Sequence, residues 1–181
     1  MSGILIAGGT VLDQTGERGA DVRITDGVIS EVGERLSPIA GDEMLDAGGC
    51  IVSPGFVDLH THLREPGREE AETIETGSRA AAKGGYTCVV AMPNTDPTQD
   101  SVSVIEFVRR QGEAAGLCDV RPSGSITVGR QGHQLSPLAE LAEVGVHVFT
   151  DDGDGVQDPL LMRQRWSTPP IWESCSPSTV R

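Results

Sequence analysis

The chain has 181 residues, a length that suits one domain with a hydrophobic core. Its formal net charge of −13 argues against nucleic acid or an anionic membrane surface as a partner, because both are polyanions. The sequence contains no apolar run near the ~18 residues that span a bilayer and no secretory signal pattern at its N-terminus, so we expect a cytoplasmic protein.

The first 52 residues predict a small antiparallel β unit. Ile4 and Ile6 alternate with other residues in the way that is typical of a half-buried strand. Further short strands are indicated around Val11 and Val22, and the Asp26-Gly27 dipeptide is typical of a hairpin turn. This segment shows no obvious chemistry of its own.

From Pro54-Gly55 onward, strand and helix patterns alternate. Strands are predicted at 56–65, 86–92, 118–126 and 146–150, and helices at about 69–83 and 100–115. A third helix is expected to be capped by Ser136, with Pro137 at its first position. Successive strands begin about 30 residues apart, which is the spacing of a βαβ unit.

Four such units in succession predict a (β/α)₈ barrel, an α/β fold whose chemistry lies at the C-terminal ends of the strands. A complete barrel takes about 250 residues, so residues 53–163 correspond to the first half of one. A doubly wound parallel sheet is the alternative, but no G-x-G-x-x-G motif follows any of the predicted strands.

The strand at 56–65 carries the main candidate site. Side chains alternate faces along a strand, so His60, His62 and Arg64 are predicted to point the same way as Asp58. Two histidines on one face of a rigid strand can bind a single metal ion. The other face and the strand start are apolar, which predicts burial on both faces, as in parallel sheets; these residues are Phe56, Val57, Leu59 and Leu63.

Two other strand ends add polar groups to this site. Asn94 follows the second strand, and Asp151 and Asp152 follow the fourth. A carboxylate beside two histidines is a zinc-type ligand set, whereas the planar fork of Arg64 suits a substrate carboxylate. The structural alternatives are a helix cap for the aspartates and a turn before Pro97 for Asn94. Their joint position at the predicted catalytic rim favours the functional interpretation.

Three motifs carry a family resemblance: His60-Thr-His62-Leu-Arg64-Glu-Pro-Gly67, Met92-Pro-Asn94-Thr95 and Phe149-Thr-Asp-Asp152-Gly153. In order and spacing they resemble the dihydroorotases of the bacterial class I type, in the amidohydrolase superfamily. The resemblance covers residue 1 to about residue 163. It implies an enzyme of de novo pyrimidine biosynthesis that interconverts N-carbamoyl-L-aspartate and dihydroorotate. It also implies a barrel accompanied by a small β-sandwich, to which residues 1–52 would contribute.

The resemblance further implies the role of each site residue. His60 and His62 would be zinc ligands, and Asp152 would lie between two metal positions, with one or two Zn²⁺ ions in a complete site. Arg64 and Asn94 would bind the carboxylate of the small-molecule substrate. The family's catalytic aspartate comes late in the barrel and is not in this chain, so no catalytic residue is assigned. The full-length protein would form a homo-oligomer or a complex with aspartate carbamoyltransferase.

Residues 164–181 differ from the rest of the chain, with both tryptophans and several prolines and serines. Read one nucleotide out of frame, the codons from Gln164 onward are compatible with an amphipathic helix, an apolar strand and a histidine. We therefore predict that this tail is a frameshift product and that the chain is a truncated, inactive dihydroorotase. The other histidines, His133 and His147, are expected to be surface or barrel-wall residues.

Two other functions remain open at this point. Another cyclic amidohydrolase, of the hydantoinase or allantoinase type, would share the His-x-His motif and the barrel. Arg64 together with Asp152 in place of a carboxylated lysine makes this less favourable. A non-catalytic dihydroorotase-like partner of aspartate carbamoyltransferase is the second alternative, although it would not need His60, His62, Arg64 and Asn94.

Overall fold

A computed structural model describes residues 3–167 of the chain, with side chains to Arg165. The chain forms two compact units that meet in sequence between Pro54 and Gly55. Among the described residues, no helix has the length and apolar character needed to cross a membrane. The predicted tail at 164–181 lies outside the described residues from position 168 onward.

The N-terminal unit consists of seven short strands in two sheets. A four-stranded sheet has the order β5-β4-β1-β6, and a three-stranded sheet has the order β3-β2-β7. The strands are β1 Gly3–Ala7, β2 Thr10–Asp13, β3 Gly16–Gly19, β4 Asp21–Thr25, β5 Val28–Gly33, β6 Asp42–Asp46 and β7 Ile51–Val52. Val11, Ala20 and Val22 form the buried core of this unit.

The predicted hairpin is confirmed, but the wholly antiparallel arrangement is wrong. Asp26 and Gly27 both have positive φ, 49° and 81°, as a two-residue hairpin turn of type I′ requires. Strands β1 and β4 pair antiparallel, as do β4 and β5. However, β6 pairs parallel with β1, and β7 pairs parallel with β2. Residues 8–41 separate β1 from β6, and residues 14–50 separate β2 from β7, so the chain has the length that a parallel pair requires to return to the same end of the sheet.

The second unit alternates strands and helices, as predicted. Its three-stranded sheet has the order β10-β9-β8, and both neighbouring pairs are parallel. The elements are β8 Phe56–Thr61, α1 Ile74–Lys83, β9 Tyr86–Ala91, α2 Val102–Ala115, β10 Asp119–Pro122, α3 Leu138–Glu143 and α4 Pro159–Ser167. The buried cluster between the sheet and the first two helices comprises Leu63, Ile74, Val89, Ala91, Val108 and Val120.

Strand β8 is an edge strand, and the prediction that it is buried on both faces is wrong. Within the described residues it pairs with β9 alone. Phe56, Val57 and Leu59 are 60%, 54% and 67% exposed. Apolar composition indicates that a strand can be buried, but it does not supply the neighbour that buries it.

Two helix starts in the second unit also differ from the prediction. Helix α1 begins at Ile74 because Thr73 caps it: the Thr73 hydroxyl accepts from the backbone N–H of Thr76 at 3.1 Å. Ser136 does not cap α3; Pro137 occupies the cap position, and the Ser136 hydroxyl lies 3.1 Å from that of Ser125.

The fourth predicted strand is reduced to one parallel bridge, between Gly124 and Phe149. Its backbone is held on both sides of that bridge. Gly124 N–H donates to Val148 O at 2.9 Å, and Thr150 N–H donates to Gly124 O at 3.0 Å. The segment therefore continues the direction of β10 and places the residues after Thr150 beyond the end of the sheet.

Candidate active site

The end of β8 presents two histidines. His60 lies in the strand and His62 follows its last residue. Their ring centroids are 5.1 Å apart, with an angle of 76° between the ring planes. The backbone N–H of His60 donates to Asp58 Oδ1 at 2.9 Å, which fixes Asp58 against the strand rather than in the site. The two-residue spacing thus brings the imidazoles together.

Asp152 reaches the histidines from the loop after residues 146–150. Its φ of 53° is in the left-handed region, which residues other than glycine seldom adopt and which clusters at functional sites. Its backbone N–H donates to Thr150 Oγ1 at 2.9 Å. Asp152 Oδ1 lies 3.1 Å from His60 Nε2, and the Asp152 side chain is 11% exposed.

The three side chains fit a metal ion. One ligand atom from each of His60, His62 and Asp152 lies within 4.8 Å of the other two. In a tetrahedral zinc site with ordinary bond lengths, neighbouring ligand atoms are about 3.3 Å apart. The separation of 3.1 Å between His60 Nε2 and Asp152 Oδ1 is already close to this spacing, and no pair of the three ligand atoms is more than 4.8 Å apart. Two imidazole nitrogens and one carboxylate oxygen are a donor set that suits Zn²⁺ and similar divalent cations.

Asn94 contacts two of these residues. It follows β9, and its Oδ1 lies 3.1 Å from His62 Nδ1. Its Nδ2 donates to Asp152 Oδ2 at 2.8 Å. The preceding backbone is fixed: Met92 N–H donates to Thr61 O at 2.8 Å, and the buried Gln99 side chain donates to Met92 O at 2.8 Å. The Asn94 amide thus links His62 to the carboxylate of Asp152.

Arg64 lies in the loop that follows His62. Its φ is 56°, so both Arg64 and Asp152 have left-handed backbones. The side chain is half-buried, and within residues 3–167 its guanidinium has no hydrogen bond or ion pair. A cation of this kind beside a candidate metal centre is available to an anionic ligand.

Two residues that sequence reasoning did not single out hold the Arg64 loop. The Glu65 carboxylate accepts from the backbone N–H of Ile74 at 2.7 Å and from Gln111 Nε2 at 3.1 Å, which ties the loop to α1 and α2. At Gly67, φ is +100° and an added Cβ would lie 2.1 Å from Asp96 O. Both residues belong to the motif at 60–67, but the sequence does not show what they contact. The hydrogen bonds of Glu65 and the close approach of Gly67 to Asp96 show that they hold the loop in place.

The adjacent aspartate, Asp151, has a different position from Asp152. It is buried, 2% exposed, and accepts from the backbone N–H groups of Ile126 and Thr127 at 2.8 and 3.0 Å. The Thr127 hydroxyl donates to its other oxygen. Asp151 therefore secures the loop after β10, and neither aspartate caps a helix through its side chain. At α4, it is Asp158 whose carboxylate accepts from the Leu160 N–H, at 2.8 Å.

The remaining histidines are away from this cluster. His133 and His147 are both exposed, and the one metal-capable group found among the described residues consists of His60, His62 and Asp152. The site thus draws its candidate ligands from the end of β8 and from the loop after residues 146–150.

Comparison with known proteins places this arrangement in a family. The family described as dihydro-orotase-like matches residues 49–167. The dihydroorotase of Streptomyces coelicolor is 50% identical over 166 residues, which cover 91% of this chain and 38% of that protein. The dihydroorotase of Leifsonia xyli subsp. xyli is 53% identical over 146 residues, covering 80% of this chain and 33% of that protein. The chain thus spans little more than a third of the length of these relatives.

Solved structures agree at the level of the fold. An L-hydantoinase (dihydropyrimidinase) from Arthrobacter aurescens superposes with a TM-score of 0.69 at 22% identity, over 82% of this chain and 32% of that one. A D-hydantoinase superposes with a TM-score of 0.63 at 26% identity, over 90% of this chain and 36% of that one. The match of the family to residues 49–167 includes every residue of the site described above. The chain therefore belongs to the dihydro-orotase-like family.

Proposed function

We propose that this chain forms the metal-binding and carboxylate-binding side of a dihydroorotase. The reaction is the reversible cyclisation of N-carbamoyl-L-aspartate to dihydroorotate, in de novo pyrimidine biosynthesis in the cytoplasm. The observation that carries the proposal is the convergence of His60, His62 and Asp152, whose ligand atoms lie within 4.8 Å of one another. Family membership supports it, since the named relatives are dihydroorotases.

The fold proposed for the function is a barrel with an accompanying β-sandwich. Residues 53–163 would form the first half of a (β/α)₈ barrel, and residues 1–52 would form part of the sandwich. The parallel order β10-β9-β8, with helices between the strands, supports this assignment. The site would then lie at the C-terminal ends of the barrel strands, where catalytic groups of such barrels are found.

His60, His62 and Asp152 would hold the zinc ion, with one or two ions in a complete site. When bound, zinc polarises a carbonyl oxygen and makes water a stronger acid. The protein's part is to fix the ligand atoms before the ion arrives. His60 lies in β8 and His62 directly follows it, and the left-handed backbone at Asp152 directs the third ligand towards His60.

Arg64 and Asn94 would bind the substrate carboxylate. The Arg64 guanidinium is free of ion pairs in the described chain and has the planar fork that pairs with a carboxylate through two hydrogen bonds. One hydrogen of Asn94 Nδ2 is donated to Asp152, which leaves the other for the same substrate group. Holding the carboxylate in this way orients the amide to be cleaved and removes orientational entropy from the barrier.

A chimera tests this function directly. Residues 1–163 of this chain would replace the matching part of the Streptomyces coelicolor dihydroorotase, and hydrolysis of dihydroorotate and cyclisation of N-carbamoyl-L-aspartate would be followed by chromatography. We expect turnover, and its loss with Asp152→Asn and with Arg64→Met. A soluble chimera that binds zinc but acts on neither compound would refute the proposed substrate.

The printed chain of 181 residues is expected to show no turnover by itself and to hold zinc weakly. The resemblance assigns the catalytic acid to no residue of this chain. It also implies two further histidine ligands for a second metal ion, a role that neither His133 nor His147 is expected to fill. Measurable cyclisation by the purified chain in a zinc-replete assay would contradict this. The frameshift proposed for residues 164–181 is checked by sequencing the gene through codon 164 and onward: a downstream frame without barrel-like strands would rule it out.

A hydantoinase-type activity is the second candidate. The similarity of the fold to L- and D-hydantoinases favours it, and hydantoin and allantoin belong in the same substrate panel as dihydroorotate. If the chimera hydrolysed hydantoin or allantoin in preference to dihydroorotate, the hydantoinase-type activity would become the first candidate and the dihydroorotase activity the second. A homo-oligomer, or a complex with aspartate carbamoyltransferase, is part of the proposal for the whole protein, and co-purification with and without zinc tests it.

A further inference from the structure

We propose that Asn94 is a positioning residue for the metal centre, in addition to its proposed contact with the substrate. Its single carboxamide would set the tautomer of His62 and the orientation of Asp152. The inference rests on the proposed function, because it concerns the zinc ligands named there.

The orientation of the Asn94 amide follows from the chemistry of Asp152. An ionised carboxylate can only accept hydrogen bonds, so the amide atom 2.8 Å from Asp152 Oδ2 must be the NH₂ group. The carbonyl oxygen of the same amide then faces His62 Nδ1, at 3.1 Å. The opposite orientation would place two acceptors together at Asp152. The contact with the carboxylate thus fixes both ends of the amide.

The tautomer of His62 follows in turn. Since Asn94 Oδ1 is an acceptor, the hydrogen bond at 3.1 Å forms only when Nδ1 of His62 carries the proton. The lone pair of the neutral imidazole is then on Nε2. Metal-binding histidines are commonly held by a hydrogen bond from the other ring nitrogen in this way. Asn94 therefore selects Nε2 of His62 as the atom offered to the ion.

The hydrogen bond from the same amide distinguishes the two carboxylate oxygens of Asp152. Oδ2 is occupied by the hydrogen bond from Asn94, while Oδ1 lies 3.1 Å from His60 Nε2. Oδ1 is thus the oxygen that faces the other ligands. Without the bond to Asn94, rotation about the last side-chain torsion would be broad, and either oxygen could face the histidines.

The amide can perform this task because its backbone is fixed. Pro93 is fully buried, and its carbonyl accepts from the backbone N–H of Gln99 at 3.2 Å. Beyond Asn94, Asp96 N–H donates to Pro66 O at 3.0 Å, which joins this loop to the one that carries Arg64. Asn94 is therefore held from both sides by contacts that do not involve the site.

The first test measures zinc affinity of the 181-residue chain by competition with a chromogenic chelator. Asn94→Ala should weaken zinc binding by about 10- to 100-fold, the range typical of groups that orient metal ligands. Thr95→Ala is the matched control: its hydroxyl donates to Pro97 O and contacts no ligand, so its affinity should equal that of the unaltered chain. Circular dichroism of each variant checks that the fold is retained.

The second test reads the tautomer, which a merely structural role would not alter. Ring ¹⁵N shifts of the metal-free chain, at a pH where imidazoles are neutral, should show His62 protonated at Nδ1. Asn94→Ala should shift it towards the Nε2–H form, with His133 and His147 as internal references. Asn94 is the only asparagine in the sequence, so selective labelling of its side-chain amide gives a single pair of signals that should move when zinc binds.

The outcomes separate the two proposals. If the unaltered chain binds no zinc, the proposed metal site is wrong and the role of Asn94 is wrong with it. If the chain binds zinc but Asn94→Ala binds it as tightly as Thr95→Ala does, the metal site stands and the inference is overturned. His62 protonated at Nε2 in the unaltered, metal-free chain also overturns it, and this measurement needs no variant.

Discussion

Replacing Asp151 should damage the fold, whereas replacing its neighbour Asp152 should damage the proposed metal site. The Asp151 carboxylate is 2% exposed and accepts two backbone N–H bonds and one hydroxyl bond, from Ile126 and Thr127. In Asp151→Ala these buried donors lose their acceptor. Each unsatisfied buried group costs about 1–3 kcal/mol, and the smaller side chain no longer has to bury a charge. We expect a net loss of about 3–5 kcal/mol in the free energy of unfolding.

Urea denaturation followed by circular dichroism measures this loss. With a slope of about 2 kcal/mol per molar urea, a loss of 4 kcal/mol lowers the midpoint by about 2 M. Asp151→Asn keeps the shape and one acceptor oxygen, so its loss should be smaller, about 1.5–3 kcal/mol.

Asp152→Asn is the matched control. Its carboxylate is partly exposed, and its side-chain polar contacts within residues 3–165 are with His60 and Asn94, so the unfolding midpoint should change little, while zinc affinity should fall. Equal midpoints for Asp151→Ala and the unaltered chain would refute the structural role of Asp151. Equal loss of stability in Asp151→Ala and Asp152→Asn would refute the assignment of a structural role to Asp151 and of a metal-binding role to Asp152.

Three further predictions concern other parts of the chain. The pKa of Asp21 is lowered by backbone N–H donors. The stability that Asp21 contributes is therefore present above the unfolded pKa of about 3.9 and is lost as the pH falls through the folded pKa. When the free energy of unfolding is measured against pH, this acid-dependent loss should be absent in Asp21→Asn. Burial raises the pKa of the Cys88 thiol, whereas Cys50 is exposed. Peptide mass spectrometry after brief alkylation should therefore find Cys50 modified before Cys88, and modification of Cys88 before Cys50 would contradict the burial. Gly67→Ala should cost about 2 kcal/mol or more, from the positive φ and the approach to Asp96 O, and an unchanged unfolding midpoint would show that the loop adapts freely.

The sequence predicted the parts of the site that depend on local periodicity and on strand ends. The two-residue spacing predicted that His60 and His62 lie together at the end of β8, and the strand-end rule pointed to Asn94 and Asp152, which the structure brings into contact. The rule could not separate Asp151 from Asp152. What separates them is the left-handed backbone at Asp152, which adjacent identical residues do not reveal.

Two features of the fold depended on partners that a local pattern does not contain. Phe56 and Leu59 have the composition of a central strand, yet β8 has a neighbour on one side only within the described chain. The segment 146–150 has the apolar residues of a strand, with Val146 and Phe149 buried, but it forms a single bridge. In both segments the side chains are apolar, as the pattern of a buried strand requires. The number of neighbouring strands that pair with the backbone decides whether the segment is a central strand, an edge strand or a single bridge.

The contacts of Asn94 join segments that are distant along the chain. They span 32 residues to His62 and 58 residues to Asp152. Such non-local contacts form late and slowly in folding, because long loops must close before they are made. A chain in which only β8 and β9 had docked would offer the two histidines without the carboxylate. The rate at which refolding chains capture zinc would therefore report the docking of the loop at Asp152, and free zinc would shift the equilibrium towards chains that have completed it.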